Sequence, residues 1–241
     1  MARDHEAHNR AFWDADADDY QAVHGCASRS ARGWGVWAIP DAEIGALDDV
    51  RGRVVLELGC GAAQWAVALA AEGARVVGID QSAGQLAYAR GRDIPLVQAS
   101  GEAVPFAAGS FDVVFCDHGA MSFCDPERSV PEVARLLRPG GLLTFCISGF
   151  VKWLTDDEEG SSRRLRRPWF GERMLAWPDG VAEFQLPYGE WIALFHRHQL
   201  EVEKLVHLRA PKGGTTTYTE FVDRKWARRW PAEEIWKVRK R

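Results

Sequence analysis

Between Arg53 and Ile147 the sequence alternates short β-branched runs with stretches of helical character, and few folds can absorb that order. RVVLELG (53–59), ARVVGID (74–80), IPLVQAS (94–100), FDVVFCD (111–117) and LLTFCIS (142–148) read as strands. AAQWAVALAAEG (62–73), SAGQLAYARGR (82–92) and PERSVPEVARLLRPGG (126–141) read as the helices between them, the last stopped by Pro139 and its glycines. Such alternation requires a parallel sheet with right-handed crossovers and helices on both faces. Ligands of these sheets lie beyond the carboxyl ends of the strands, so loops 59–65, 80–85, 99–103 and 116–123 are expected to converge on one site.

The whole chain of 241 residues, 46% of them apolar, suits a single domain with additions to this core and shows no repeat or Gly/Ser linker. Residues 1–50 are expected to form an N-terminal cap, with an amphipathic helix over 3–23 followed by GWGVWAIP. The cofactor-binding core is 51–149 and a lid insert 150–187. Residues 188–241 hold a helix (189–199), a strand (200–208), and a tail from Tyr218 read as a helix broken by Pro231 before a short last strand (235–240). The net charge of −4 gives no global field for nucleic acid or anionic membrane. The N-terminus lacks a signal-peptide pattern and no segment is apolar enough to span a membrane, so a cytoplasmic location is expected. Five cysteines without a C-x-x-C pair, Cys26, Cys60, Cys116, Cys124 and Cys146, read as reduced, mostly buried thiols. Oligomeric state has no signature here.

The first strand ends in VVLELGCGAAQW (54–65). A dinucleotide loop needs G-x-G-x-x-G; Gly59 and Gly61 supply two glycines, but the third position is Gln64. Glu57 weighs more, because a carboxylate two residues before the first glycine favours positive groups over a pyrophosphate. A ligand bearing an ammonium and a sulfonium fits better.

Glu57-x-Gly59-x-Gly61-x-Ala63 resembles the E/D-x-G-x-G-x-G signature of class I S-adenosylmethionine-dependent methyltransferases of the small-molecule type, similar to the ubiquinone/menaquinone-biosynthesis group. Alanine replaces the last glycine. The resemblance covers about residues 50 to 150. It implies a Rossmann-like α/β fold with a doubly wound, mostly parallel seven-stranded sheet whose last strand is antiparallel, and S-adenosylmethionine as cofactor. By resemblance, Asp80 holds the ribose hydroxyls through charge-assisted hydrogen bonds, and Gln81 lies against the adenine. Ser100, Gly101 and Glu102 stand where an Asp commonly holds the adenine amine. Tyr20 closes over the methionine end, and Cys60, Gln85 and Asp117 complete the expected cofactor shell.

Methyl transfer from a sulfonium is an in-line displacement needing alignment and a dry pocket; a hydroxyl acceptor also benefits from a base. CDHGAMSF (116–123) stands where the resemblance puts the start of the acceptor site. His118 is the candidate base and Asp117 a residue that orients it or touches the cofactor. His24 is a second candidate for the acceptor pocket. His5, His8, His196 and His198 read as exposed helix faces. Cys116, His118 and Cys124 lack the spacing of a zinc site, so no metal is expected. Trp34, Trp37, Trp153, Trp169, Phe170 and Trp177 are expected to wall an apolar acceptor pocket, where aromatic faces would favour the sulfonium.

RRLRR (163–167) and RKWARRW (224–230) raise an RNA reading. Against it stand the net charge, the nearby DDEE (156–159) and Asp117-His118-Gly119 in place of the N/D-P-P-Y/F motif of nucleic-acid amino-methyltransferases. The expected function is transfer of a methyl group from S-adenosylmethionine to a small, apolar or aromatic metabolite, at oxygen. The alternatives are an RNA-directed methyltransferase, an NAD-dependent oxidoreductase and a non-catalytic cofactor-binding protein.

Overall fold

The computed structural model describes residues 4–25, 32–157, 160–178 and 180–241. Cys26 and the last two residues of DDEE lie outside them. The chain opens with α1 (Asp4–Ala15), α2 (Ala17–Tyr20) and a π-helical turn (Gln21–Gly25), then a small hairpin of β1 (Gly33–Trp34) and β2 (Ile39–Pro40), and α3 (Asp41–Ile44). The alternating core follows: β3 (Val54–Leu58), α4 (Gln64–Ala71), β4 (Arg75–Asp80), α5 (Ala83–Ala87), β5 (Leu96–Gln98), β6 (Phe111–Asp117), α6 (Ala120–Phe123), α7 (Pro126–Leu136) and β7 (Leu137–Ser148). After α8 (Phe150–Thr155) come the hairpin β8 (Met174–Ala176) and β9 (Ala182–Phe184), α9 (Tyr188–Arg197), β10 (Leu200–Leu208), α10 (Arg224–Ala227) and β11 (Glu233–Lys240).

The seven-stranded sheet has the order β10-β11-β7-β6-β3-β4-β5. Strands β3 to β7 pair in parallel, and the last strand, β11, runs antiparallel between β7 and β10. Successive strands step outward from β3 on one side and from β6 on the other, so the topological switch lies between these two, where ligands of such sheets bind. Two apolar layers bury the sheet. One packs Leu56, Leu58, Val114 and Phe145 under Trp191, Phe195 and Trp236. The other packs Val55, Phe115 and Cys146 under Trp34, Trp65 and Leu69.

Several expected elements differ. The helix expected over 3–23 bends after Ala15 and ends in the π turn, which carries Tyr20 and Gln21 to the strand ends; single π turns are common at functional sites. In the tail only Arg224–Ala227 is helical, capped by Asp223 accepting from Lys225 N and Trp226 N. The last strand starts at Glu233, two residues earlier than expected, because it pairs with β7 along nearly its whole length. Among the described residues no helix is long and apolar enough to cross a membrane.

Candidate active site

At the carboxyl ends of β3, β4 and β6 lies a cavity open to solvent. Its geometry begins at the glycines. Gly59 sits at φ +81°, and a Cβ there would come within 2.4 Å of Ala120 N and 2.8 Å of Gly119 Cα. A Cβ on Gly119 would in turn meet Gly59 O at 2.5 Å, so the loops after β3 and β6 touch backbone to backbone. Gly61 (φ +49°) faces open space: a Cβ there would meet only Gln85 Oε1, at 3.7 Å. Ala63, in the last position of the motif, takes the left-handed conformation (φ +56°) as N-cap of α4.

The loop's amides are already engaged. Gly59 N and Cys60 N both donate to Ile79 O (2.9 and 2.8 Å), and Gly61 N donates to Asp80 Oδ2 (2.8 Å). Asp80 Oδ1 accepts from Ser82 N (2.9 Å). Burial lifts the Asp80 carboxyl above its ordinary range, against the lowering by the Ser82 and Gly61 amides; the Asp14 charge adds to the rise. Glu57 is buried, with Oε2 accepting from Ala66 N at 2.9 Å. Gln21 Nε2 donates to Gln85 Oε1 (2.7 Å), while Gln85 Nε2 is buried without a hydrogen-bond partner.

The opposite end of the cavity belongs to β6. Asp117 Oδ1 accepts from Gly35 N (3.0 Å) and Oδ2 from Trp65 Nε1 (3.3 Å), so Asp117 does not orient His118. Glu233 does: its Oε1 accepts from His118 Nε2 at 2.7 Å and from Val36 N at 2.7 Å. His118 is held at φ +50°, uncommon for a non-glycine residue and typical of strained functional positions. Burial pulls its imidazole pKa down, but the Glu233 hydrogen bond and the charges of Glu233, Asp117 and Glu183 outweigh this, leaving it above the ordinary value. Donor atoms of Asp117, His118 and Cys146 lie within 4.8 Å of one another. Burial holds the Cys146 thiol well above its usual pKa and therefore neutral.

Of the expected site residues, Glu57, Gly59, Cys60 and Gly61 line this cavity from β3, as do Asp80, Gln81 and Gln85 from β4 and α5. Tyr20, Gly101, Asp117 and His118 line it from the other elements. Ser100 and Glu102 do not, because α1 claims both: Ser100 Oγ donates to Glu6 Oε1, and Glu102 Oε1 accepts from His5 Nε2 (2.6 Å) while Oε2 pairs with Arg128 (2.6 Å). His5 is thereby buried, where an exposed face was expected. His24 lies outside the lining, stacked on Tyr218 at 4.0 Å and bonded through Nδ1 to Thr217 Oγ1 (2.8 Å).

The aromatic wall is also not the expected one. Trp34, Trp37 and Trp153 are buried in packing, Trp169 and Phe170 are exposed, and no described residue of 150–187 lines the cavity. Trp13, Tyr20, Trp65 and Phe123 form the wall instead, with Trp13 edge-on to Tyr20 (5.4 Å) and to Phe123 (5.3 Å). The basic stretches are partly spent internally: Arg166 pairs with Asp157 (2.8 Å), Arg167 donates to Trp153 O (2.7 Å), and Arg224 donates to Lys212 O (2.8 Å).

A family model described as a methyltransferase domain matches residues 56–145. A demethylmenaquinone methyltransferase of Corynebacterium kroppenstedtii is 39% identical over 100 residues, 42% of this chain and 44% of that one. A demethylmenaquinone methyltransferase of Mycobacterium sp. (strain JLS) is 42% identical over 95 residues, 39% and 41% of the two chains. The chain thus matches under half the length of these curated relatives. Among solved structures, an S-adenosylmethionine dependent methyltransferase of Mesorhizobium loti superposes with a TM-score of 0.69 at 20% identity, covering 83% of this chain and 96% of that one. The 1,6-didemethyltoxoflavin-N1-methyltransferase of Burkholderia thailandensis, with S-adenosylhomocysteine bound, superposes with a TM-score of 0.62 at 18% identity, covering 100% and 90%. These two likenesses speak to the fold.

The residues present fit S-adenosylmethionine. Glu57, Asp80 and Asp117 bring three carboxylates to the cavity, and among the described residues lining it there is no Lys or Arg. A cationic ligand is favoured there, whereas a pyrophosphate would find neither cations nor spare loop amides. The space before Gly61 and the orphaned Gln85 Nε2 leave room and one unsatisfied donor for a polar ligand. Residues 56–145, at the centre of this sheet, match a methyltransferase domain, and the fold built around them is that of S-adenosylmethionine-dependent methyltransferases.

Proposed function

We propose that this chain transfers the methyl group of S-adenosylmethionine to a small, apolar or aromatic metabolite, at an oxygen, by in-line displacement with His118 as the base. One observation carries the reading: a single cavity has Glu57 and Asp80 at one end, Asp117 and His118 at the other and an aromatic wall along it, with no Lys or Arg among the described residues that line it. The relatives at 39% and 42% identity act, by name, on demethylmenaquinone, and an apolar acceptor of that kind suits this wall. When bound, the cofactor supplies a methyl group on a sulfonium leaving group. Asp80 and Gln85 hold polar groups of the ligand, and Glu57 favours its positive charge. Trp13, Tyr20, Trp65 and Phe123 exclude water and offer π faces to a cation. His118 accepts the proton of the acceptor hydroxyl as its oxygen attacks.

The test is transfer of label from methyl-labelled S-adenosylmethionine to a panel of phenols, quinols and aromatic amines. His118→Ala is expected to lower kcat on a hydroxyl acceptor by about 10²–10⁴-fold with the dissociation constant for S-adenosylhomocysteine unchanged. Full activity of that variant would leave His118 a packing residue, and labelling of amines alone would overturn the oxygen assignment.

A further inference from the structure

Glu233 and His118 lie 115 residues apart in the chain, and β11 brings them together. This strand pairs antiparallel with β7, Glu233 opposite Ser148, while β6 pairs parallel with β7, Asp117 opposite Cys146. The start of β11 and the end of β6 therefore lie at the same end of the sheet, on either side of β7. Glu233 is buried, whereas the His118 side chain keeps 24% of its surface exposed and lines the cavity. The hydrogen bond joins Nε2 to the buried carboxylate. Nδ1 makes no hydrogen bond among the described residues.

From this geometry we infer that Glu233 is the positioning residue of the proposed base: it holds His118 as the Nε2–H tautomer and leaves the Nδ1 lone pair to take the acceptor's proton. The inference rests on the functional reading above only for what the base does; the tautomer stands by itself. The same Glu233 oxygen accepts from Val36 N, so one carboxylate orients the imidazole and seats the segment after β1 over the site. A Cβ at Gly35 would meet Glu233 Oε1 at 2.2 Å, so this approach requires glycine there. The arrangement follows the general logic of a buried acid that fixes an imidazole's tautomer and stabilises its protonated form.

The 2.7 Å spacing suits a shared proton. Two ligand atoms of a tetrahedral zinc, with bonds near 2.0–2.1 Å, would stand roughly 3.3 Å apart. The ionisable groups around the ring are Glu233 on β11, Asp117 on β6, Glu183 on β9 and the neutral Cys146 thiol on β7.

The experiment is long-range ¹H–¹⁵N spectroscopy of the full chain labelled at histidine, with His118 assigned by the signal lost in His118→Asn. The expected result is an Nε2-protonated neutral ring with a low-field Nε2 proton, and a titration midpoint that falls by about one pH unit or more in Glu233→Gln. An Nδ1–H tautomer in the unsubstituted protein overturns the proposal and needs no variant that must fold. So does an unmoved midpoint in a folded Glu233→Gln, or stoichiometric tightly bound metal in place of the Nε2 proton. Once an acceptor is found, Glu233→Gln should lower kcat while sparing KM and move the acid limb of the pH profile to lower pH. Combined with His118→Ala, it should cost nothing further. If no hydroxyl compound is methylated but the tautomer is as stated, the functional reading fails and the pairing stands.

Discussion

Neighbouring residues of a strand face opposite sides, so Glu234 points away from His118 into the packing on the other face of the sheet. It is fully buried and takes hydrogen bonds from Phe150 N (3.2 Å), Gln185 Nε2 (3.4 Å) and Trp236 Nε1 (3.3 Å). No cation is among these partners. Burial therefore prevails over the hydrogen bonds and lifts its carboxyl from 4.5 to about 7. A raised acid favours the folded state only while protonated. Its contribution is complete below the unfolded value near 4.5 and is lost as pH rises towards 7, at roughly 1.4 kcal/mol per pH unit. Glu234→Gln cannot ionise. Whatever constant offset the amide introduces, its stability relative to the unsubstituted chain should rise between pH 5 and pH 8 by up to about 3 kcal/mol. Urea titrations at the two pH values read this directly, and parallel stability curves would refute it.

At the scale of elements, α1 is tied to the core by side chains rather than by a continuous apolar stripe. Asn9 is buried and donates through Nδ2 to Phe123 O and Ala182 O, both at 2.9 Å, while its Oδ1 accepts from Ala182 N at 2.7 Å. Asp14 accepts from Ser82 Oγ (2.8 Å) and Gly84 N (3.0 Å). One asparagine thus joins α1, α6 and β9. Asn9→Ala would strand three backbone groups, and at about 1–3 kcal/mol for each left buried and unsatisfied the expected loss is roughly 2–5 kcal/mol after partial rehydration. The urea midpoint should fall accordingly; a midpoint unchanged within error would show that the helix is held by something else. These ties also explain what was legible beforehand. Strands β3 to β7 and the glycine loop were readable because local apolar runs and φ-permissive residues dictate them. The partners of α1 were not, since nothing near His5 or Glu102 in sequence says that they meet across 97 positions. Ser100 and Glu102 were therefore taken for cofactor ligands, and Trp13 and Phe123 were missed as the aromatic wall. Trp65 did carry a signal, standing one turn past the glycine loop. Glu233 carried only its place before the last β-branched run, and its role depends on a sheet order that no local pattern encodes.

Across the whole molecule, the cavity is enclosed by parts remote in sequence: the turn with Tyr20 and Gln21, the strand ends, and the loop after β6. Tyr20 hydroxyl meets Tyr218 hydroxyl at 2.7 Å, and Gln64 Nε2 donates to Gly25 O at 3.2 Å, so the N-terminal segment is pinned to both the core and the C-terminal region. A ligand filling this space touches the turn, the strand ends and the loop after β6 and binds only the folded chain, so its binding energy adds to the stability of all three together. At a concentration about 100 times the dissociation constant the gain is about 2.7 kcal/mol. For a chain of this size, that corresponds to a rise in Tm of about 5–10 °C. S-adenosylmethionine should produce that shift and NAD should not, because three carboxylates repel a pyrophosphate and the loop amides that could hold it are already bonded to Ile79 O and Asp80. Hydrogen exchange should slow on ligand binding in residues 4–25 as well as in the glycine loop. Stabilisation by NAD alone would overturn the cofactor assignment, whereas protection confined to the glycine loop would leave it standing and remove the N-terminal segment from the site.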